Sequence, residues 1–250
     1  MTPRAYALGA AALLLFAVAA TASLELYGRS CRTFLGIPGP LRPPAVTGAI
    51  VERPEDAYRL WKDKGAHGRI VAVLAGRWDR VLIDSFKPYL TSAAFPKAFF
   101  DPFTWWEKEL NGANFLFLAA QKGIAREIVC ILPEQEYRRL FDSADESGPV
   151  PAGPVTLKTY EGYRRAFAAD PRAIPLAEPV LLYIGASFLE AQTSGAARAM
   201  MENSGWTTDF AVFCAEGGDK CTSAEARERL AELAAAMGAR PAPPSAGGAR

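Results

Sequence analysis

NFLFLAAQKGIAREIVCILPEQEYRRL, residues 114–140, reads as helix, stop, strand, start and helix. Phe115, Leu116, Leu118 and Ala119 recur at helical spacing and give the opening helix a single apolar face. Lys122 then stands where a cation offsets the negative end of the helix dipole, and Gly123 can take the left-handed conformation that closes a helix. Ile128-Val129-Cys130-Ile131-Leu132 is a short, continuously apolar, β-rich run of the kind covered on both faces in a parallel sheet. Pro133 costs no hydrogen bond at a helix start, and Glu134 and Glu136 suit the first turn. This is one unit of a doubly wound α/β fold.

Other stretches repeat the unit. Pro54-Glu55-Asp56 opens a helix with Ala57, Leu60 and Trp61 on one stripe, Lys64-Gly65 ends it, and Arg69 to Leu74 is a second buried strand stopped by Gly76. KDKGAHGRIVAVLAG and AQKGIAREIVCILP share a Lys-Gly stop, a short connector with an arginine, and an apolar strand. Pro179 to Ile184 and Asp209 to Cys214 are further buried strands. Between them lies a helix capped by Thr193 or Ser194 and ended by Gly205. Thr222-Ser-Ala-Glu225 reads as a capping box before the last helix, and Tyr160 to Ala168 can form another helix ended by Asp170-Pro171. The expected fold is therefore α/β, a mainly parallel open sheet of about four to five strands with helices on both faces, preceded by an N-terminal membrane or signal segment.

The start of the chain carries an address. Arg4 supplies a positive region, Ala5 to Leu24 contains no charge, and Ala20-Thr21-Ala22 forms a small-residue cleavage site. The run is long enough to span a bilayer core as an uncleaved anchor, so a cleaved signal peptide and a transmembrane helix both remain open for residues 1–28. Either places the remainder outside the cytoplasm, in the periplasm or at the cell surface. Residues 29–48, rich in Pro and Gly, read as a linker. Residues 49–238 form a single domain with an insertion at 77–112, and 239–250 read as a disordered tail.

With 250 residues the chain can build one sizeable core. A formal net charge of +1 gives no field for nucleic acid, and a single histidine, His67, argues against a His-rich metal centre. Neither a metal nor a cofactor is called for. In an oxidising compartment Cys214 and Cys221 can close a short disulfide loop contributing about 2–3 kcal/mol, leaving Cys31 and Cys130 to pair by elimination.

Ligands of such sheets collect beyond the carboxyl ends of the strands. Asp79, Asp84, Glu134, Glu216 and Asp219 fall at or near those ends and could converge as an acid–base pair, although acids there are also ordinary dipole partners. Ser187 follows a strand directly, but Gly185-Ala186-Ser187-Phe188-Leu189 lacks the second glycine of a nucleophile elbow, and His67 precedes the second strand's run at the opposite end. The insertion is the richest lead. It holds Arg77, Trp78, Phe99, Phe103, Trp105 and Trp106, and aromatic side chains give large contact area at low entropy cost. Trp105 and Trp106 are adjacent, so on a helix they diverge by about 100°, and Leu110 at i+4 directs Trp106 inward and Trp105 outward. The same aromatics could equally finish the core as a lid. The leading functional expectation is a non-catalytic envelope domain that binds a small ligand or a partner protein and touches the membrane through its N-terminal segment. The alternative is an envelope hydrolase or transferase using the strand-end carboxylates.

Overall fold

A computed structural model of the chain describes residues 32–41, 47–76, 110–112, 114–142, 154–158, 164–217 and 222–242. In chain order these form β1 (Gly39–Pro40), β2 (Gly48–Val51), α1 (Pro54–Asp63), β3 (Arg69–Leu74), α2 (Phe115–Gln121), β4 (Ala125–Ile131) and α3 (Glu134–Asp142). They continue with β5 (Val155–Lys158), β6 (Arg164–Ala168), β7 (Val180–Gly185), α4 (Ser194–Glu202), β8 (Thr207–Cys214), α5 (Ala224–Ala236) and β9 (Arg240–Pro241). Short 3-10 turns at Pro171–Ala173 and Ala186–Glu190 flank β7.

The sheet runs β5-β6-β4-β3-β7-β8-β2-β9, with β1 pairing β8 off that path. All pairs from β6 to β9 are parallel, while β5 lies antiparallel on β6 and β1 antiparallel on β8. The expected α/β class with a mainly parallel sheet holds, but eight strands lie in the continuous path rather than four to five.

Alternation along each strand divides the core in two. Val71, Val73, Ile128, Cys130, Leu181, Tyr183, Val212 and Cys214 face a cluster closed by Tyr58 and Trp61 of α1 and by Phe115, Leu116 and Leu118 of α2. Ile70, Ala72, Leu74, Val129, Leu182, Ile184 and Phe213 face a second cluster closed by Met201 of α4 and by Leu230 and Leu233 of α5. A strand covered on both faces cannot alternate apolar with polar, which is why these runs read as continuously hydrophobic. The Lys-Gly stops behave alike: Gly65 has φ 71 and Gly123 φ 72, conformations that a Cβ would strain.

Several expectations need correction. The linker of residues 29–48 is not a free spacer where it is described. Gly39–Pro40 pairs with Thr207–Thr208, and Leu41 is 1% exposed within the second core cluster. Gly48–Val51 is a strand whose pairing with β8 had no long apolar run to announce it. Arg164–Ala168 is strand rather than helix, because β4 presents an open edge whose backbone groups β6 satisfies. Residues 239–242 do not belong to a disordered tail: Arg240–Pro241 adds to the edge of β2, and the Ala242 N–H donates to Ile50 O at 3.0 Å. The last helix is capped by Ser223, not Thr222, its side chain accepting from the Ala226 N–H at 3.1 Å. Thr193 caps α4 as expected. Among the described residues no helix is long and apolar enough to cross a membrane, and residues 5–24 lie outside them.

Candidate functional site at the carboxyl ends of the strands

The chain order along the sheet reverses between β3 and β7, since β3 leads outward to β4 and β6 while β7 leads outward to β8. In doubly wound sheets such a switch point is where ligands bind, beyond the carboxyl ends of the strands. The first residues there are Ala75-Gly76 after β3, Ala186-Ser187 after β7 and Ala215-Glu216 after β8.

Three of these loops are locked together. The Gly76 N–H donates to Ser187 Oγ at 3.1 Å, and the Ser187 N–H donates to Glu216 Oε2 at 2.7 Å. The Thr222 hydroxyl reaches the same carboxylate oxygen at 3.4 Å. Glycine is required at Gly76, while a Cβ at Gly185 would push the Glu216 carboxylate from its place. A Cβ on Gly76 would fall 1.9 Å from the Ser187 carbonyl oxygen, a backbone atom that cannot move aside, and one on Gly185 would fall 2.2 Å from Glu216 Oε1. Glu216 itself is held at φ 53, uncommon for a residue with a side chain. Its backbone N–H meets Cys214 Sγ at 3.4 Å, and Gly217 N–H donates to Glu52 O at 2.7 Å.

Beneath this layer sit Tyr183 and Cys214, both buried. The Tyr183 hydroxyl hydrogen-bonds the Cys214 sulfur, and burial dominates both groups. The thiol is pushed from 9.0 up to about 12, and the phenol is held well above 10.0. A thiol of that kind is neither nucleophile nor ready metal ligand.

The sequence-derived candidates separate accordingly. Glu216 lies at the switch point as a partner of the Ser187 loop. Glu134 lies at the start of α3, 67% exposed, where it pairs with Arg138 one turn on. It follows β4, three strand spacings from β8, so the two strand exits that carry Glu134 and Glu216 are separated by roughly 14 Å in the strand lattice, and Glu134 turns to Arg138 instead of to Glu216. Arg77, Trp78, Asp79, Asp84, Phe99, Phe103, Trp105, Trp106 and Asp219 fall outside the described residues. His67 sits ahead of β3 with its carbonyl accepting from the Thr33 N–H, at the opposite end of the sheet from Ser187, so no Ser-His pair forms. The expected Cys214–Cys221 disulfide is not made: Cys214 is a free thiol with 0% exposure, tucked under the Glu216 loop. Cys130 is likewise buried and makes no disulfide, so the Cys31–Cys130 pairing is not made. Cys31 and Cys221 lie outside the described residues. Among the described residues no group of three His, Cys, Asp or Glu could hold a metal ion.

Ser187 and Glu216 were legible as strand-end candidates, but their contact with each other and with Gly76 was not. Gly76 and Gly185 each closed an apolar run and could have been paired as a close approach between loops, but Thr222 and Tyr183 carried no signal. At the other end of the sheet a cleft of about 280 Å³ lies beside Ile70, Ile174 and Leu176, with Glu127 and Glu178 on its wall. Glu178 is already paired with Arg126 and Arg32.

No family model, curated protein or solved structure matches the chain.

Proposed function

We propose that this chain is an extracytoplasmic α/β domain, membrane-tethered or released, that binds an envelope protein or small ligand through its aromatic insertion and performs no chemistry of its own. The observation that carries this reading is where the insertion is spliced into the sheet. It leaves β3 at Gly76, at the switch point, and rejoins at Leu110 to Gly112, where a Cβ on Gly112 would fall 3.3 Å from Pro54 at the start of α1. Both junctions belong to the carboxyl end of the sheet, where doubly wound folds take their ligands. The polar groups beside them support binding over catalysis, because the Glu216 carboxylate holds the Ser187 loop and the Ser187 hydroxyl holds the Gly76 loop.

The test uses Trp105→Ala in the full chain. Its urea-unfolding stability falls by less than about 1.5 kcal/mol, while capture of envelope components by the tagged protein drops at least tenfold. Trp106→Ala loses about 3–5 kcal/mol, the cost of emptying an aromatic core site. Equal collapse of both variants would assign the insertion to the core and remove the proposed site.

One observation favours the enzyme reading: the left-handed Glu216 at a strand exit, since backbone strain concentrates at functional sites. In that reading Glu216→Gln abolishes turnover of an envelope ester or glycan. In the binding reading it leaves capture unchanged.

A further inference from the structure

The lead-in from Arg32 to Leu41 is fastened to one end of the sheet only. The Thr33 N–H donates to His67 O at 3.2 Å, and the Leu35 N–H to Asp209 Oδ2 at 2.6 Å. Arg32 pairs with Glu178 at 2.6 Å, and Gly39–Pro40 joins Thr207–Thr208. His67, Glu178 and Thr207 stand at the beginnings of β3, β7 and β8, so every attachment is at the amino ends, opposite the splice points of the aromatic insertion. The approach is close enough that a Cβ on Gly36 would fall 2.6 Å from Asp209 O.

This docked stretch carries the large apolar side chains that the described residues leave exposed, Phe34 at 48% and Ile37 at 89%. Exposed cations share the same end: Arg32 on the lead-in, Lys62 and Lys64 at the close of α1, and Lys122 at the close of α2. Asp63 and Glu127 stand among them, and Glu178 is already paired with Arg32 and Arg126. The last residue of the uncharged N-terminal run, Leu24, precedes Arg32 by eight residues, whose covalent reach is at most about 29 Å.

We propose that the amino end of the sheet is a membrane-facing surface. Ile37 and Phe34 enter the headgroup boundary of an anionic bilayer, the nearby lysines sit over its phosphates, and the carboxyl end with its insertion points away. Apolar side chains backed by cations are the chemistry of an interfacial contact. A tether of this length holds the domain within reach of that surface. The inference rests on reading residues 5–24 as a membrane segment, independently of what the insertion binds.

The test reconstitutes the full chain in phosphatidylcholine vesicles, with or without phosphatidylglycerol, doped with a phospholipid carrying a photoreactive acyl group. The expected result is co-flotation with the vesicles and lipid adducts on the peptide containing Phe34 and Ile37. Adducts should rise severalfold with phosphatidylglycerol and be absent from the 185–190 peptide. Ile37→Ser, at a site too exposed to affect folding, should keep flotation and lower those adducts at least threefold. Flotation with adducts confined to residues 5–24, or found at 185–190 instead, would overturn the proposed orientation. Failure to float would instead overturn the membrane-segment reading, and the proposal with it.

Discussion

Arg69 and Asp209 hold the amino end of the sheet together from inside it. Their side chains are 2% and 0% exposed, the pair is bidentate, and Arg69 also donates to Thr33 O at 2.8 Å and Pro179 O at 3.0 Å. A buried pair is tolerated only when its remaining donors and lone pairs are satisfied, and here the lead-in supplies that satisfaction. Arg69→Met leaves a buried carboxylate without its cation and should cost about 3–5 kcal/mol by urea unfolding. The Arg69→Met/Asp209→Leu double variant should recover most of that loss. A double variant no better than the single one would show the pair to be a net stabiliser. The buried thiol makes a second residue-scale prediction. Because Cys214 holds its proton up to about pH 12 against an ordinary 9.0, the folded state binds that proton more tightly than the unfolded chain. Its contribution to stability is fully present below pH 9 and is lost as pH rises from 9 towards 12, and the raised Tyr183 acts in the same direction. Urea midpoints should fall over that window, and Cys214→Ala should flatten the slope. An unchanged slope would remove the thiol from the account.

At the scale of elements, the lead-in behaves as a component of the domain. Its prolines and glycines suggest a spacer, yet the stretch contributes a short pairing to β8, a polar clasp on Asp209, and Leu41 to the core. Leu41→Ala should therefore cost about 2–4 kcal/mol, as for other buried leucines, where a linker leucine would cost almost nothing. Denaturant titration of that one variant decides between the two. The crossover from β6 to β7 follows a related logic. Asp170 accepts the Arg172 N–H at 2.9 Å and caps a 3-10 turn, so Pro171 marks a turn between strands rather than the end of a helix.

For the molecule as a whole, described helices cover both faces of the sheet. The face closed by α1 and α2 buries Trp61 completely, and Phe115 packs on Tyr183 with ring centroids 5.2 Å apart. If the insertion is a binding element, replacing residues 77–109 with a Gly/Ser linker of about 15 residues, whose coil spans about 20 Å, should leave cooperative unfolding intact. Stability should fall by no more than about 2 kcal/mol, since changing the length of a flexible loop alters closure entropy only slightly. Loss of the cooperative transition would make the insertion a lid over this core.

What the sequence determined by itself is the repeating unit. Ile128 to Leu132 and Val180 to Ile184 are apolar at every position because both sheet faces are covered, and Gly65 and Gly123 follow their helices because a left-handed residue closes them. Those signals are local, lying within one turn or one strand of the residue that carries them. Tertiary structure alone decided the edges and the contacts among the strand-exit loops. Gly48–Val51, Arg164–Ala168 and Arg240–Pro241 are strands because a neighbour's open edge pairs with them, not because of their own composition. Ser187, Glu216 and Gly76 meet across chain separations of 29 and 111 residues, and Arg69 meets Asp209 across 140. Contacts over such separations depend on strand order, and strand order is set by which faces pack together rather than by any stretch read alone.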